Sequence, residues 1–237
     1  MKKRNLLCIT AVMSCLLILL AVPCRAINTG FVLEDVSEEE KENYIASLNL
    51  KPVDAPIKNT SFYCFDVNEK GQYALGYNGP FVGHVVNVYD ADGAFLYGFS
   101  FSTYGAYSIQ WDGENIIIYL VRGNLAFAID PDITCVEVAS IPDNADNQKY
   151  WRIEVDSVER EVNGVTYQAK AKLSSYHWKL VAVSPDGTET VLFHAPGGLG
   201  KIITQILAMV LLGLTVVITL SYGLNKKYKN YKETKVS

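Results

Sequence analysis

Twenty-one consecutive residues without a charge, Ile202 to Tyr222, constrain this chain more than any other feature. At about 1.5 Å per residue a helix of that length spans a ~30 Å hydrocarbon core, and it is too long for a core helix of a domain this size. Ile202–Tyr222 is therefore expected to be a transmembrane helix, followed by a basic tail over residues 223–237. A second uncharged, mostly apolar stretch, Leu6 to Val22, follows Lys2-Lys3-Arg4 and precedes Pro23-Cys24-Arg25-Ala26. Residues 1–26 read as a signal peptide cleaved after the small Ala26, or as a retained signal-anchor. Pro23 stands where a lipoprotein site at Cys24 needs a small residue. Lys226, Lys227, Lys229, Lys232 and Lys235 place the C-terminus in the cytoplasm, and Lys2, Lys3 and Arg4 place the starting N-terminus on the same side. With the leader cleaved or retained, residues 27–198 are expected on the outer face of a cell membrane.

The charges are segregated along the chain. The first 26 residues carry four basic side chains, residues 27–198 carry 24 acidic against 11 basic, and the remainder carries six Lys and one Glu. A segment this acidic disfavours nucleic-acid binding, since phosphate contact needs clustered Lys and Arg. With 49% hydrophobic residues, 17 Gly and 8 Pro, it is neither disordered nor fibrous.

Within the outer part, residues 27–60 are expected to hold one short helix and a linker. Ser37 followed by Glu40 fits a capping box, acidic residues fill the first turn, and Tyr44, Ile45 and Leu48 share one face of a helix over Glu34–Leu48. Pro52 and Pro56 break the pattern. Residues 61–195 then alternate with period two between short turns, the signature of antiparallel strands. Strands are expected at 61–67, 72–77, 85–90, 94–101, 107–111, 115–120, 125–130 and 135–139. After an exposed loop at Pro142–Gln148 come 158–162 and 165–171, joined by Asn163-Gly164, and then 178–183 and 188–194. The Asn-Gly pair is the strongest two-residue hairpin signal in the chain.

Aromatic-or-aliphatic plus Asp pairs recur at Phe65-Asp66, Tyr89-Asp90, Trp111-Asp112 and Ile129-Asp130. Asp66 to Asp112 is 46 residues and Asp90 to Asp130 is 40, near the spacing of propeller blades. The strands suffice for two to three blades, so the fold class is mainly β: stacked, twisted antiparallel sheets short of a closed ring. An unclosed sheet end needs a cover, and the Glu34–Leu48 helix is the expected one, laid against the first strand.

The runs Cys64-Phe65-Asp66-Val67-Asn68-Glu69-Lys70-Gly71, Val88 to Gly98, Trp111-Asp112-Gly113-Glu114-Asn115 and Ile118-Tyr119-Leu120-Val121-Arg122 resemble membrane-anchored β-rich proteins of Gram-positive bacteria with propeller-blade-like repeats. The resemblance covers most of the chain. It implies location and architecture and no chemistry.

His84, His177 and His194 are the only histidines, without the spacing of a metal site. Counted as a twelve-residue calcium loop, Asp90-Ala91-Asp92-Gly93 fails, because Phe95 stands at the glycine position and Phe101 at the closing Glu. It reads instead as a hairpin turn. No G-x-S-x-G, P-loop or H-E-x-x-H is present, and no catalytic, metal or cofactor site is expected. Cys64 and Cys135 are the cysteines left after the leader, and a disulfide between them stands beside two separate buried thiols. Fifteen tyrosines suit half-buried strands. Tyr73, Tyr89, Tyr97 and Trp111 are candidates for an exposed binding face, for a protein or glycan partner. The sequence thus points to a membrane-tethered, non-enzymatic binding, sensing or assembly module. The alternative is an envelope enzyme, or an accessory subunit of one, with a site of scattered carboxylates and tyrosines.

Overall fold

The structure, a computed structural model, describes residues 27–58, 60–79, 83–173, 176–195 and, further on, 203–204, 206–217 and 219. The expected leader and basic tail lie outside the described residues, as does part of the expected span. Among the described residues no helix is long and apolar enough to cross a membrane.

In chain order the elements are β1 (Glu34–Asp35), α1 (Glu38–Leu48), β2 (Lys51–Pro52), β3 (Cys64–Val67), β4 (Tyr73–Asn78), β5 (Gly83–Tyr89), β6 (Phe95–Ser102), β7 (Tyr107–Asp112), β8 (Asn115–Leu120), β9 (Leu125–Ile129) and β10 (Cys135–Ser140). Then come α2 (Ala145–Tyr150), a π-helical turn at Trp151–Val155, β11 (Glu159–Val162), β12 (Val165–Leu173), β13 (Tyr176–Val183) and β14 (Glu189–His194). The protein is mainly β. Its three antiparallel sheets run β1-β10-β9-β8-β7, β2-β6-β5-β4-β3 and β11-β12-β13-β14, and none closes into a barrel. Each sheet is built on four consecutive strands, and two of them gain a two-residue strand at one edge.

Turn chemistry explains this regularity. In four hairpins the first turn residue donates its backbone N–H to the carbonyl four positions on, and its own carbonyl accepts from the N–H three positions on: Asn68 with Gln72 and Gly71, Asp90 with Ala94 and Gly93, Asp130 with Thr134 and Ile133, Ser184 with Thr188 and Gly187. The third residue has positive φ each time, at 75°, 87°, 63° and 85°. This is the three-residue loop that ends in a left-handed residue. Asn68, Asp90 and Asp130 reinforce it, each side chain accepting from backbone N–H groups inside its own turn. Asn163 and Gly164 both have positive φ, as a two-residue hairpin requires.

The chain divides into two compact units, one of residues up to Lys51 with Phe101–Asp156, the other of Pro52–Ser100 with residues from Ser157 onward. In the first unit, Ile117 and Tyr119 of β8, Ala126 and Ala128 of β9 and Ala139 of β10 turn one face toward Ile27, Phe31, Ile141 and Val155. Ile116 and Ile118 are fully buried on the opposite face, so β8 reads as a continuous apolar run because both its faces are covered. The expected exposed loop at Pro142–Gln148 is corrected here. Asn144 caps α2 by accepting from the Asn147 N–H at 2.9 Å, and Asn147 is buried. The Asn147 amide accepts from Val32 N–H and donates to Val32 and Pro142 carbonyls, at 2.8, 2.9 and 2.8 Å. Gly30 passes so close to Tyr150 that a Cβ there would lie 2.0 Å from the ring.

Helix α1 has the expected capping box, and its hydrogen bond from Ser37 holds the Glu40 carboxyl below its usual range. The cover expected over the first strand is also corrected, because α1 belongs to the first unit and its Lys41 bridges Glu38 and Glu137 of β10 at 3.0 and 3.2 Å. Leu48 is buried while Ile45 is exposed, so the apolar face is narrower than its spacing promised. β1 pairs with β10 and covers that edge, Glu34 opposite Ser140 and Asp35 opposite Ala139.

In the second unit, Phe62, Phe65, Val67, Tyr73, Leu75, Tyr77 and Tyr89 from one sheet pack with Tyr167, Ala169 and Leu180 from the other. Phe62 and His177 join the two sheets by a pair of backbone hydrogen bonds at 3.0 and 2.9 Å. Between Leu180 and Val181 the register with β14 shifts, leaving Leu192 as an extra residue. The carbonyl released at this bulge accepts the Tyr73 hydroxyl at 3.0 Å. Burial pushes the hydroxyls of Tyr73 and Tyr77 well above the ordinary phenol range.

Candidate functional site

In an antiparallel meander every second turn lies at the same end. In the first unit the β7–β8 turn, Asp112-Gly113-Glu114-Asn115, and the β9–β10 turn, Asp130-Pro131-Asp132, therefore share one sheet end. Between them lies a cleft of about 560 Å³, lined also by Ile27, Ala128 and Val136. Asp112 Oδ2 accepts the Asn28 N–H at 2.9 Å, and Asp130 Oδ1 accepts the Thr134 N–H at 2.8 Å. Glu114 and Asp132 stand exposed at the rim. The four carboxylates surround the cleft without converging on a point. Among the described residues no group of three or more His, Cys, Asp or Glu is placed to hold a metal ion.

The β8–β9 turn lies at the opposite end of the same sheet. There Phe31, Leu120, Val121, Ile141, Pro142 and Trp151 line an apolar pocket of about 220 Å³. Phe31 anchors it, edge-on to Tyr119 and Tyr150 at ring-centroid distances of 4.9 and 4.7 Å. Buried Asn147 and exposed Gln148 add amides to its wall.

Two of the four aromatic candidates are buried. Tyr73 and Tyr89 are interior residues at 1% and 7% exposure, stacked on each other with centroids 5.0 Å apart. They are corrected from binding-face aromatics to core, because alternation on β4 and β5 turns them to the packed side. Tyr97 is half-buried in the second unit, whereas half-buried Trp111 sits on β7 of the first. Tyr104, at 72% exposure, is the most open tyrosine among the described residues.

Cys64 and Cys135 are both thiols, so the disulfide weighed from the sequence is not formed in this structure. They belong to different sheets, and Cys135 Sγ donates to its own strand neighbour Glu137 at the carbonyl, 3.4 Å away. Burial pushes the Cys135 thiol up to about 11. His84 Nδ1 pairs with Asn78 Oδ1 at 3.0 Å, while His177 stacks on Phe62 with centroids 5.4 Å apart.

Sequence reasoning passed over the acidic cleft. Its signal was the repeated apolar-Asp pair, read as a blade mark, which also places Asp112 and Asp130 at the same end of neighbouring hairpins. No known protein-family model matches this chain, and no curated protein matches it.

Proposed function

We propose that this chain is a membrane-tethered module of the extracytoplasmic face that binds a protein or glycan partner and has no catalytic activity of its own. One observation carries the tether. Residues 206–217 are helical and exposed throughout, and all but Gly213 and Thr215 are apolar. An apolar helix exposed along its described residues is a surface suited to lipid. Thr215 donates its hydroxyl to the Leu212 carbonyl at 2.7 Å, which satisfies that donor within the helix, as a lipid environment demands. The orientation follows from the lysines after the span and the basic residues before the leader. The three four-strand meanders support the reading as two to three propeller blades short of a closed ring, and each sheet offers its ends and edges to a partner. The same order of leader, β-rich part and span supports kinship with the membrane-anchored proteins of Gram-positive bacteria that the sequence resembles.

External protease on cells stripped of their wall should remove residues 27–198 and leave the Lys226–Ser237 tail intact. Loss of the tail from outside would overturn the orientation. The soluble 27–198 fragment, immobilised and exposed to solubilised membranes and wall glycan, should retain a saturable partner. Recovery of none under several growth conditions counts against the binding role.

The acidic cleft favours a second reading as an envelope enzyme or accessory subunit, because carboxylates flanking a groove are the tools of glycoside hydrolysis. Turnover of wall fragments that is lost in Asp132→Asn decides for it, and saturable binding without turnover decides against it.

A further inference from the structure

We propose that hydrolysis of the Ala26–Ile27 bond creates an α-ammonium group at Ile27 that docks against the Asp112 carboxylate, so that removal of the leader completes the acidic end of the first unit's sheet. This rests on the outward topology proposed above. Three observations meet at that position. Ile27 is 8% exposed and belongs to the apolar cluster with Ile117, Ala128 and Val155, so its side chain pins the residue to the sheet. The same residue lines the cleft with Asp112, Glu114, Asp130 and Asp132. The next backbone nitrogen, that of Asn28, already donates to Asp112 Oδ2 at 2.9 Å. Consecutive backbone nitrogens lie at most about 3.6 Å apart, which puts the Ile27 nitrogen within about 6.5 Å of that carboxylate oxygen.

While the leader is attached, this nitrogen is a neutral amide of a residue that lines the acidic cleft. Cys24 and Ala26 give the bond the small-x-small flank that a membrane-bound leader endopeptidase of the outer face accepts. Water adds to the Ala26 carbonyl carbon and the C–N bond breaks. Ala26 leaves as a carboxylate, and the amine on Ile27 takes up a proton to become an ammonium. A positive charge thus appears on the nitrogen next to the one that Asp112 already holds. Opposite charges at 4 to 6 Å favour each other's charged form, so the site stabilises the ammonium it has just received. Chain termini fray unless they are tied down, and here both the side chain and the new charge tie the terminus.

The experiment uses the mature protein purified from membranes. Intact mass and N-terminal sequencing should give Ile27 as the first residue. The pH dependence of α-amine acetylation should place that amine about one unit above its ordinary ~7.7 to 8.0. Asp112→Asn keeps an oxygen for the Asn28 N–H and removes the charge, and should return the amine to its ordinary range. Glu69→Gln, an exposed carboxylate of the second unit, should leave it raised. If Asp112→Asn fails to accumulate, a chain with one Gly inserted between Ala26 and Ile27 provides the test, because its displaced amine should titrate normally beside an intact Asp112. A mature chain that starts elsewhere, a native amine with an ordinary pKa, or an unchanged amine in Asp112→Asn would each overturn the docking. A retained leader with a protease-protected tail defeats this inference and leaves the tether standing, whereas a tail cut from outside defeats the tether itself.

Discussion

Asp66 and Arg160 show what a single pair of residues contributes. Their side chains are 7% and 15% exposed, and Arg160 Nε donates to Asp66 Oδ1 at 2.8 Å. The guanidinium also lies 5.4 Å over the Phe65 ring and donates to the carbonyls of Ser157 and Glu159. Removing one member of a buried pair strands the other, at a cost of about 3 to 5 kcal/mol. Arg160→Met is therefore expected to destabilise the 27–198 fragment by roughly 3 kcal/mol in urea unfolding, and adding Asp66→Asn should recover part of the loss. Equal stability of Arg160→Met and the native chain would show that the pair is dispensable. Gly30→Ala presents a steric problem instead, since its Cβ meets the Tyr150 ring at 2.0 Å and one of the two must move. A loss of about 1 to 3 kcal/mol is expected, as for other overpacked cores, and Tyr150→Ala in the same chain should relieve the clash. The Asn28 to Asp112 contact could not have been found from spacing, because it joins residues 84 apart and Asn28 belongs to no motif.

Strands were legible because period-two alternation and Asn, Asp, Gly or Ser turns mark both their faces and their ends. All twelve strands of the three meanders lie where the alternation put them, within three residues at each end. β1 and β2 were not legible, since two residues carry no period. Nor was α2, whose Ala-Asp-Asn-Gln-Lys-Tyr composition matches a polar loop. Its fold is set by the Asn144 cap and by Asn147 reaching Val32, which is a tertiary matter. The seat of α1 was misjudged because one sheet edge looks like another in sequence, and the choice fell to Lys41 meeting Glu137. Removing residues 34–48 should expose the β10 edge, and the shortened fragment is expected to self-associate on size exclusion. A monomer with an unchanged melting temperature would dismiss that role. Alkali supplies a second test at this scale. The Cys135 thiol is raised to about 11, so between the ordinary thiol range near 9 and pH 11 the folded chain holds a proton that the unfolded chain releases. Stability must fall as pH rises through that window, and the buried Tyr73 and Tyr77 hydroxyls extend the fall above pH 10. A melting temperature flat from pH 8 to 11 would contradict it, and Cys135→Ala should shift the onset upward.

Neither compact unit is a contiguous stretch of chain. The first takes residues up to Lys51, then Phe101–Asp156; the second takes Pro52–Ser100, then residues from Ser157. Residues 101–156 hold the larger part of one sheet, yet the core face of that sheet is covered by Ile27 and Phe31 from the earlier segment. Expressed alone, residues 101–156 should melt without a cooperative transition, and supplying residues 27–51 as a peptide should restore one. A sharp transition in the isolated segment would show that the early residues are decoration. Under the outward topology proposed above, interleaving would also set a timetable for export. A chain threaded N-terminus first delivers the opening of each unit before the close of either, so the strands of β2 to β6 must wait outside with one packed face unshielded until β11 to β14 arrive. His194, the end of the last strand, precedes the start of the expected span by only eight residues. On that proposed topology the second unit finishes only as the anchor itself reaches the translocation channel, which would make the half-delivered chain the stage at which chaperones and quality-control proteases of the outer face have their opportunity.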